Sequence, residues 1–291
     1  MKRIVLFVLT NLAILLVLSI VAQLTGLDAW LAQQGGSLTG LLAFAAFFGF
    51  SGSLISLAMS KWLAKRSMGV RVIETPNSPS ERWLLDTVGG LARRAGLAMP
   101  EVGVFESAQP NAFATGPRRN NALVAVSSGL LATMNHDEIE AVLGHEMTHV
   151  VNGDMVTLAL LQGVVNTFVL FLSRIIGNIV DRSVSRDSEG RGAAYFVTVL
   201  FTQAVLGVLA SVIVMWFSRR REFRADAGGA RLAGRDKMIA ALQSLERAHD
   251  EPLPAQLSAF GIAGGEASGW GRLFMSHPPL EERIAALRAM G

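Results

Sequence analysis

The sequence predicts a mainly α membrane protein, with four transmembrane helices plus a cytoplasmic α+β domain that holds a small β-sheet. Three observations predict it. Half of the 291 residues are hydrophobic and only 17% are charged, and the mean hydropathy of +0.41 is high for a water-soluble chain. The apolar residues gather into four long runs. Between and after these runs lie polar segments with helix caps, short β-prone stretches and a histidine motif.

Composition narrows the chemistry further. With no cysteine, the chain has no disulfide framework, thiol nucleophile or thiolate ligand, so His, Asp and Glu are the candidates for holding a metal. The net charge of +3 comes from basic residues beside the hydrophobic runs, and no nucleic-acid signature accompanies them. The lipid bilayer is the expected partner, not nucleic acid, and the sequence fixes no oligomeric state.

The first run, Ile4 to Ala22, follows Lys2 and Arg3 and is long enough to cross a hydrocarbon core of about 30 Å. A cleaved signal peptide would carry a shorter apolar run and a small-residue cleavage site. Leu38 to Ser60 is the second expected span, with Gly49, Gly52, Ser53 and Ser56 spaced to form packing faces. The third and fourth, Met155 to Val180 and Ala193 to Phe217, form a hairpin about the polar segment Asp181 to Gly192. Within the third, Arg174 is expected to snorkel or to face the bundle. Gln162 and Asn166 are expected to bond between helices or to line a route to the site.

Orientation follows from the basic residues. Gln23 to Ser37 has none, whereas Lys61, Lys65, Arg66 and Arg71 follow the second span and Arg219, Arg220, Arg221 and Arg224 follow the fourth. Arg182, Arg186 and Arg191 give a weaker opposing signal among acidic neighbours. Both termini are therefore expected in the cytoplasm. The expected organisation is a membrane hairpin over 1–60, a first cytoplasmic part over 61–154, a second hairpin over 155–217 and a second cytoplasmic part over 218–291.

In the cytoplasmic parts, Ser78-Pro79-Ser80-Glu81 reads as a capping box with proline at the first helical position, and Gly96 as the helix stop. Glu101 to Glu106, Ala112 to Thr115 and Ala122 to Ser127 are short β-prone segments that predict the sheet, whose edge is available to an extended peptide. Gly261 to Gly271 reads as a glycine-rich loop.

Asn135 with Glu138 marks the start of a helix that carries His145-Glu146-Met147-Thr148-His149. Independent placement of this chain's His and Glu residues predicts about 0.004 such H-E-x-x-H matches. At i and i+4 both imidazoles lie on one helix face and can reach a single Zn²⁺ at roughly 2.0–2.1 Å. Glu146 then points beside the metal, where it can take a proton from the attacking water and deliver it to a leaving amine. A catalytic zinc needs a third protein ligand. Glu222 with Asp226 one turn on, on a helix leaving the fourth span, supplies a ligand and a carboxylate to orient a histidine, although an ordinary charged helix face has the same pattern. His277, before Pro278-Pro279 and an acidic helix start, is a candidate to hold the oxyanion of the tetrahedral intermediate, and equally a structural histidine. His136 and His249 read as solvent-facing.

Four segments carry a family resemblance: Gln109-Pro110-Asn111-Ala112-Phe113-Ala114-Thr115-Gly116, Gly144 to His149, Arg221-Glu222-Phe223-Arg224-Ala225-Asp226, and Ser276-His277-Pro278-Pro279-Leu280-Glu281-Glu282-Arg283. In these, in their order and in its four apolar runs, the chain resembles the HtpX family of bacterial membrane zinc metalloproteases, relatives of the CAAX-processing membrane proteases. The resemblance implies a zincin-like (gluzincin) peptidase domain with one Zn²⁺ per chain. It implies His145, His149 and Glu222 as ligands, Glu146 as catalytic acid and base, and Asn111, Ala112, Phe113 and Ala114 as a strand that holds substrate backbone. It also implies a place in the bacterial inner membrane, with misfolded or damaged membrane proteins as substrates in quality control.

Two other readings stay open at the level of sequence. An intramembrane protease would bury the motif helix in lipid, against which Asp137, Glu138, Glu140, Asn152 and Asp154 argue. A non-catalytic, zinc-stabilised membrane scaffold or holdase would close the metal site with a fourth protein ligand such as His277, but it gives Glu146 no role.

Overall fold

The computed structural model of the chain describes residues 37–184, 192–250, 275 and 277–290. In chain order the elements are α1 (Leu38–Ser67), β1 (Arg71–Val72), α2 (Pro79–Ala95), β2 (Glu101–Phe105), β3 (Ala112–Arg118), β4 (Asn121–Ser127), α3 (Ser128–Thr133), α4 (His136–Asn152), α5 (Asp154–Val184), α6 (Ala193–Ala233), α7 (Arg235–Asp250) and α8 (Leu280–Ala289). They pack into two compact units, residues 1–56 with 158–214 and residues 57–157 with 215–291.

Helices α1, α5 and α6 are long and apolar enough to cross a membrane. They contain the spans expected at 38–60, 155–180 and 193–217, and α1 and α6 continue well past their apolar stretches, where no proline follows. The span expected at Ile4 to Ala22 lies outside the described residues, as does Gly261 to Gly271.

Small residues hold the first unit together. A Cβ on Gly49 would come within 2.5 Å of Thr167 Oγ1, and one on Gly163 within 2.6 Å of the Phe50 ring, so only glycine permits this approach of α1 and α5. Of the four small residues singled out in α1, Gly49 and Ser53 are buried, whereas Gly52 and Ser56 are exposed one step round the helix. Gln162 Nε2 donates to Asn166 Oδ1, 2.8 Å away on the same helix. Arg174 faces its neighbour, with its guanidinium 4.4 Å from the Phe44 ring centre and Nη1 donating to Leu170 O. Asp181 ends the hairpin connection by accepting from the amides of Gly192 and Tyr195, both at 3.1 Å, at the start of α6.

In the second unit the sheet order is β1-β2-β4-β3, with β2 and β4 parallel and the other pairs antiparallel. The hydrophobic β4 is interior and β3 forms an edge. Strand β1, two residues long, carries no periodic signal in the sequence. Ser78 caps α2 by accepting from Glu81 N, but Glu81 returns to the amide of Asn77 at 2.7 Å, one residue before the position a capping box uses. Its other oxygen pairs with Arg71, which draws the side chain away from Ser78. Helix α4 carries the full reciprocal box between Asn135 and Glu138. Helices α2, α4, α7 and α8 enclose a core that includes Leu84, Leu91, Leu143, Met147, Met238, Leu242 and Leu287.

Candidate metal centre

Helix α4 presents His145 and His149 from successive turns, and their Nε2 atoms stand 3.2 Å apart. Glu222 arrives from α6 with Oε1 at 3.3 Å from His149 Nε2 and Oε2 at 3.5 Å from His145 Nε2. A tetrahedral ion with bonds of roughly 2.0–2.1 Å has ligand atoms about 3.3–3.4 Å apart. The contacts are of that size, each histidine meeting a different oxygen of Glu222, and with one ligand atom per residue the three lie within 4.8 Å of one another, so they form a group able to hold one metal ion. Charge agrees: the carboxylates of Glu146, Glu222, Asp154 and Asp226 outnumber the guanidiniums of Arg221 and Arg283 by two, which a divalent cation balances.

Glu222 reaches the histidines because α6 and α4 approach without intervening side chains. Gly228 abuts the Thr148 side chain closely enough that any Cβ there would collide with it, and a Cβ on Gly229 would stand 2.9 Å from the amide nitrogen of His145. Gly144 sits opposite Gly229. Glu222, Asp226 and Gly229 recur at i, i+4 and i+7, so the face that carries the carboxylates is the face that packs.

Each histidine is held from behind. His145 Nδ1 lies 2.9 Å from Asp226 Oδ1, and Arg283 grips Asp226 through Nε at 2.8 Å and Nη2 at 2.6 Å. His149 Nδ1 lies 2.7 Å from Asp154 Oδ2. Each ring turns Nδ1 toward a carboxylate and Nε2 toward Glu222, the nitrogen that would hold a metal once the ion displaces its proton. Burial pulls the His145 imidazole down, but its bonds to Asp226 and Glu222 outweigh this and raise it. The same contest, with Asp154 and Glu222 as partners, pushes His149 up to about 9 when no cation shares the site. Glu222 and Asp226 are only 2% and 1% exposed. Burying so many ionisable groups costs far more than an apolar core would, which marks a site for chemistry.

Glu146 lies beside this cluster and its Oε2 accepts from the backbone amide of Ala114, 2.9 Å away on β3. The start of β3 is fixed by Asn111, whose carbonyl accepts from Ser127 N at 2.8 Å and whose amide donates to Ser127 Oγ at 2.9 Å. The register pairs Ala112 with Val126 and Ala114 with Val124. Asn111 and Phe113 therefore bond inward to β4, while the backbone of Ala112 and Ala114 faces the free edge, as the bond to Glu146 requires. The Phe113 side chain packs on Phe105.

His277 is 62% exposed at its side chain, and its Nδ1 lies 2.7 Å from Glu222 Oε2. His136 is exposed as expected and also stacks on Trp83 with ring centres 4.0 Å apart; nothing is described of the His249 side chain. Sequence reasoning missed Arg283, Arg221 and Asp154. The first two carry no local signal. Asp154 does, because it follows Gly153, which ends α4 with φ of 62° and turns the chain back toward His149.

Helices of membrane-crossing length, joined to a unit whose H-E-x-x-H helix meets a buried glutamate, define a multi-pass membrane metallopeptidase. The profile of peptidase family M48 matches residues 78–291, and the chain belongs to that family. It is 65% identical over 290 residues to the protease HtpX homolog of Thiobacillus denitrificans, covering 100% of both chains. It is 66% identical to protease HtpX of Nitrosococcus oceani, covering 99% of each. The crystal structure of S. mikatae Ste24p shares the fold, with a TM-score of 0.56 and 19% identity over 94% of this chain and 67% of that one.

Proposed function

We propose that the chain is a zinc-dependent endopeptidase of the bacterial inner membrane, with four spans, that hydrolyses misfolded or damaged membrane proteins at the cytoplasmic face. The observation that carries the reading is the close cluster of His145, His149 and Glu222 with Glu146 beside it. When bound, Zn²⁺ supplies Lewis-acid polarisation and lowers the pKa of water. Glu146 takes the proton of the attacking water and passes it to the leaving amine. The outward backbone groups of Ala112 and the carbonyl of Ala114 hold an extended substrate by strand addition, the Ala114 amide being taken by Glu146, and Asn111 and Phe113 anchor that edge from within. Asp226 fixes the tautomer of His145. His277 stands at the rim of the cluster against Glu222 and, where its Nε2 carries a proton, can donate to the developing oxyanion. Lys61, Lys65 and Arg66 at the end of α1 and Arg71 beyond it favour the cytoplasmic face, as do Arg219, Arg220, Arg221 and Arg224 in α6.

The test is cleavage of an unfolded protein by detergent-purified, zinc-loaded enzyme, comparing wild type with Glu146→Gln while recording bound metal. The expected result is a loss of roughly 10²–10⁴-fold in rate with metal content unchanged. Equal rates would return the chain to the scaffold reading.

A further inference from the structure

The two histidines of the metal cluster have different supports. Behind His145 stands Asp226, held by two direct bonds from Arg283. Behind His149 stands Asp154, which is 6% exposed and makes the shorter bond, 2.7 Å to Nδ1. Asp154 is the first residue of α5 and would ordinarily satisfy amides of its own first turn. Instead the left-handed turn at Gly153 carries it back so that Oδ2 meets the imidazole. Arg221, the neighbour of Glu222 and 7% exposed, donates Nη1 to the Asp154 carbonyl at 3.3 Å and Nη2 to Ser218 Oγ at 3.1 Å. Its Nη1 is 4.0 Å from Asp154 Oδ2, so it steadies the main chain of Asp154 and leaves the carboxylate free for the histidine.

Packing alone gives no reason for this arrangement. Burying a carboxylate and a guanidinium is costly, and apolar side chains of the same size would stabilise the junction of α4 and α5 at least as well. What the pair achieves is orientation. We propose that Asp154 is a positioning residue for His149, fixing its tautomer and ring plane so that Nε2 faces the metal position, and that Arg221 holds Asp154 in place. The inference rests on His145, His149 and Glu222 being the metal-binding set. It makes the junction at Gly153 and Asp154 part of the metal site, although neither residue is a ligand.

The experiment is a Zn²⁺ titration of chelator-stripped, full-length protein in detergent against a chromophoric competitor. It compares wild type, Asp154→Asn, Asp154→Ala, Arg221→Lys and His149→Ala, with the unfolding midpoint of each stripped variant recorded. The expected result is zinc affinity lowered roughly 10–100-fold in Asp154→Ala and partly recovered in Asp154→Asn, which keeps an acceptor of the same shape. Arg221→Lys should lie nearer wild type. Should Asp154→Ala fail to fold, the nearly isosteric Asp154→Asn decides by whether its affinity falls below wild type. Wild-type affinity in the folded Asp154 variants, with binding lost in His149→Ala, would overturn the positioning role. Wild-type affinity in His149→Ala would instead overturn the ligand assignment.

Discussion

In the unit formed by residues 1–56 and 158–214, Phe47, Phe48, Phe196, Leu200 and Phe201 stand more than half exposed. In the unit formed by residues 57–157 and 215–291, Leu84, Leu91, Leu130 and Leu143 are fully buried while Glu222, Asp226 and Arg283 are buried among them. The same residue types thus serve different solvents. Where hydrocarbon is the solvent, burying a leucine against another helix gains little, so the seam depends on the contacts of Gly49 with Thr167 and Gly163 with Phe50. Where water is the solvent, aliphatic burial stabilises by roughly 25 cal/mol per Å², enough to offset the cost of a charged site.

Four measurements sharpen or break that contrast. The largest effect is expected from paired truncations in unfolding experiments in detergent. Leu143→Ala, in the aliphatic core, should cost about 2–5 kcal/mol, while Leu200→Ala, facing outward, should change stability by well under 1 kcal/mol. A comparable cost at Leu200 would show that its face is packed and would break the comparison. Next, Gly228→Ala places a methyl group into Thr148 and should cost about 1–3 kcal/mol while weakening metal binding, because α6 must retreat from α4 with Glu222 aboard. Unchanged zinc affinity in that variant would count against the close approach as what delivers the third ligand.

Buried charge also makes the stability of the second unit depend on pH. His149 has an ordinary value near 6.5 and a folded value of about 9, so its protonated form stabilises the stripped protein. That contribution is complete below about pH 6.5 and is lost as pH rises through about 9. The unfolding midpoint of chelator-treated protein should therefore fall across this window. Added zinc should lessen the fall, because the ligated imidazole is deprotonated in any case. A flat profile without metal would mean that Asp154 and Glu222 do not hold the proton on His149. The smallest effect is expected at Gly90, inside α2, where a Cβ would meet only Arg94 Nη1 at 3.9 Å. Gly90→Ala should stabilise by roughly 0.5–1 kcal/mol, and a loss instead would reveal crowding on that face.

Much of this molecule was legible along the chain. The helices containing 38–60, 155–180 and 193–217, the full capping box of α4, the stop at Gly96 and the β-prone segments all rest on interactions within a few residues. The pair His145 and His149 belongs with them, since one helical turn sets their spacing. Glu222 and Asp226 were legible as a ligand and a carboxylate behind a histidine only beside the reading of an ordinary charged helix face, which spacing does not exclude. Their partner Arg283, 57 residues beyond Asp226, was not legible at all. Glu81 shows the reverse error: pattern suggested the amide of Ser78 as its partner, and it bonds instead to the amide of Asn77 and to Arg71.

By itself, then, the sequence determined which segments are helical, which of them are apolar enough for a membrane, and that two imidazoles share one face with a glutamate beside them. Those properties follow from periodicity and local hydrogen bonding, which need no distant partner. Only the tertiary structure decided that Glu222 completes the cluster, that Asp226 and Asp154 each hold a histidine, and that the edge strand β3 lends its Ala114 amide to Glu146. These contacts depend on which helix faces meet and how closely, and at Gly144, Gly228 and Gly229 that is decided by the absence of side chains.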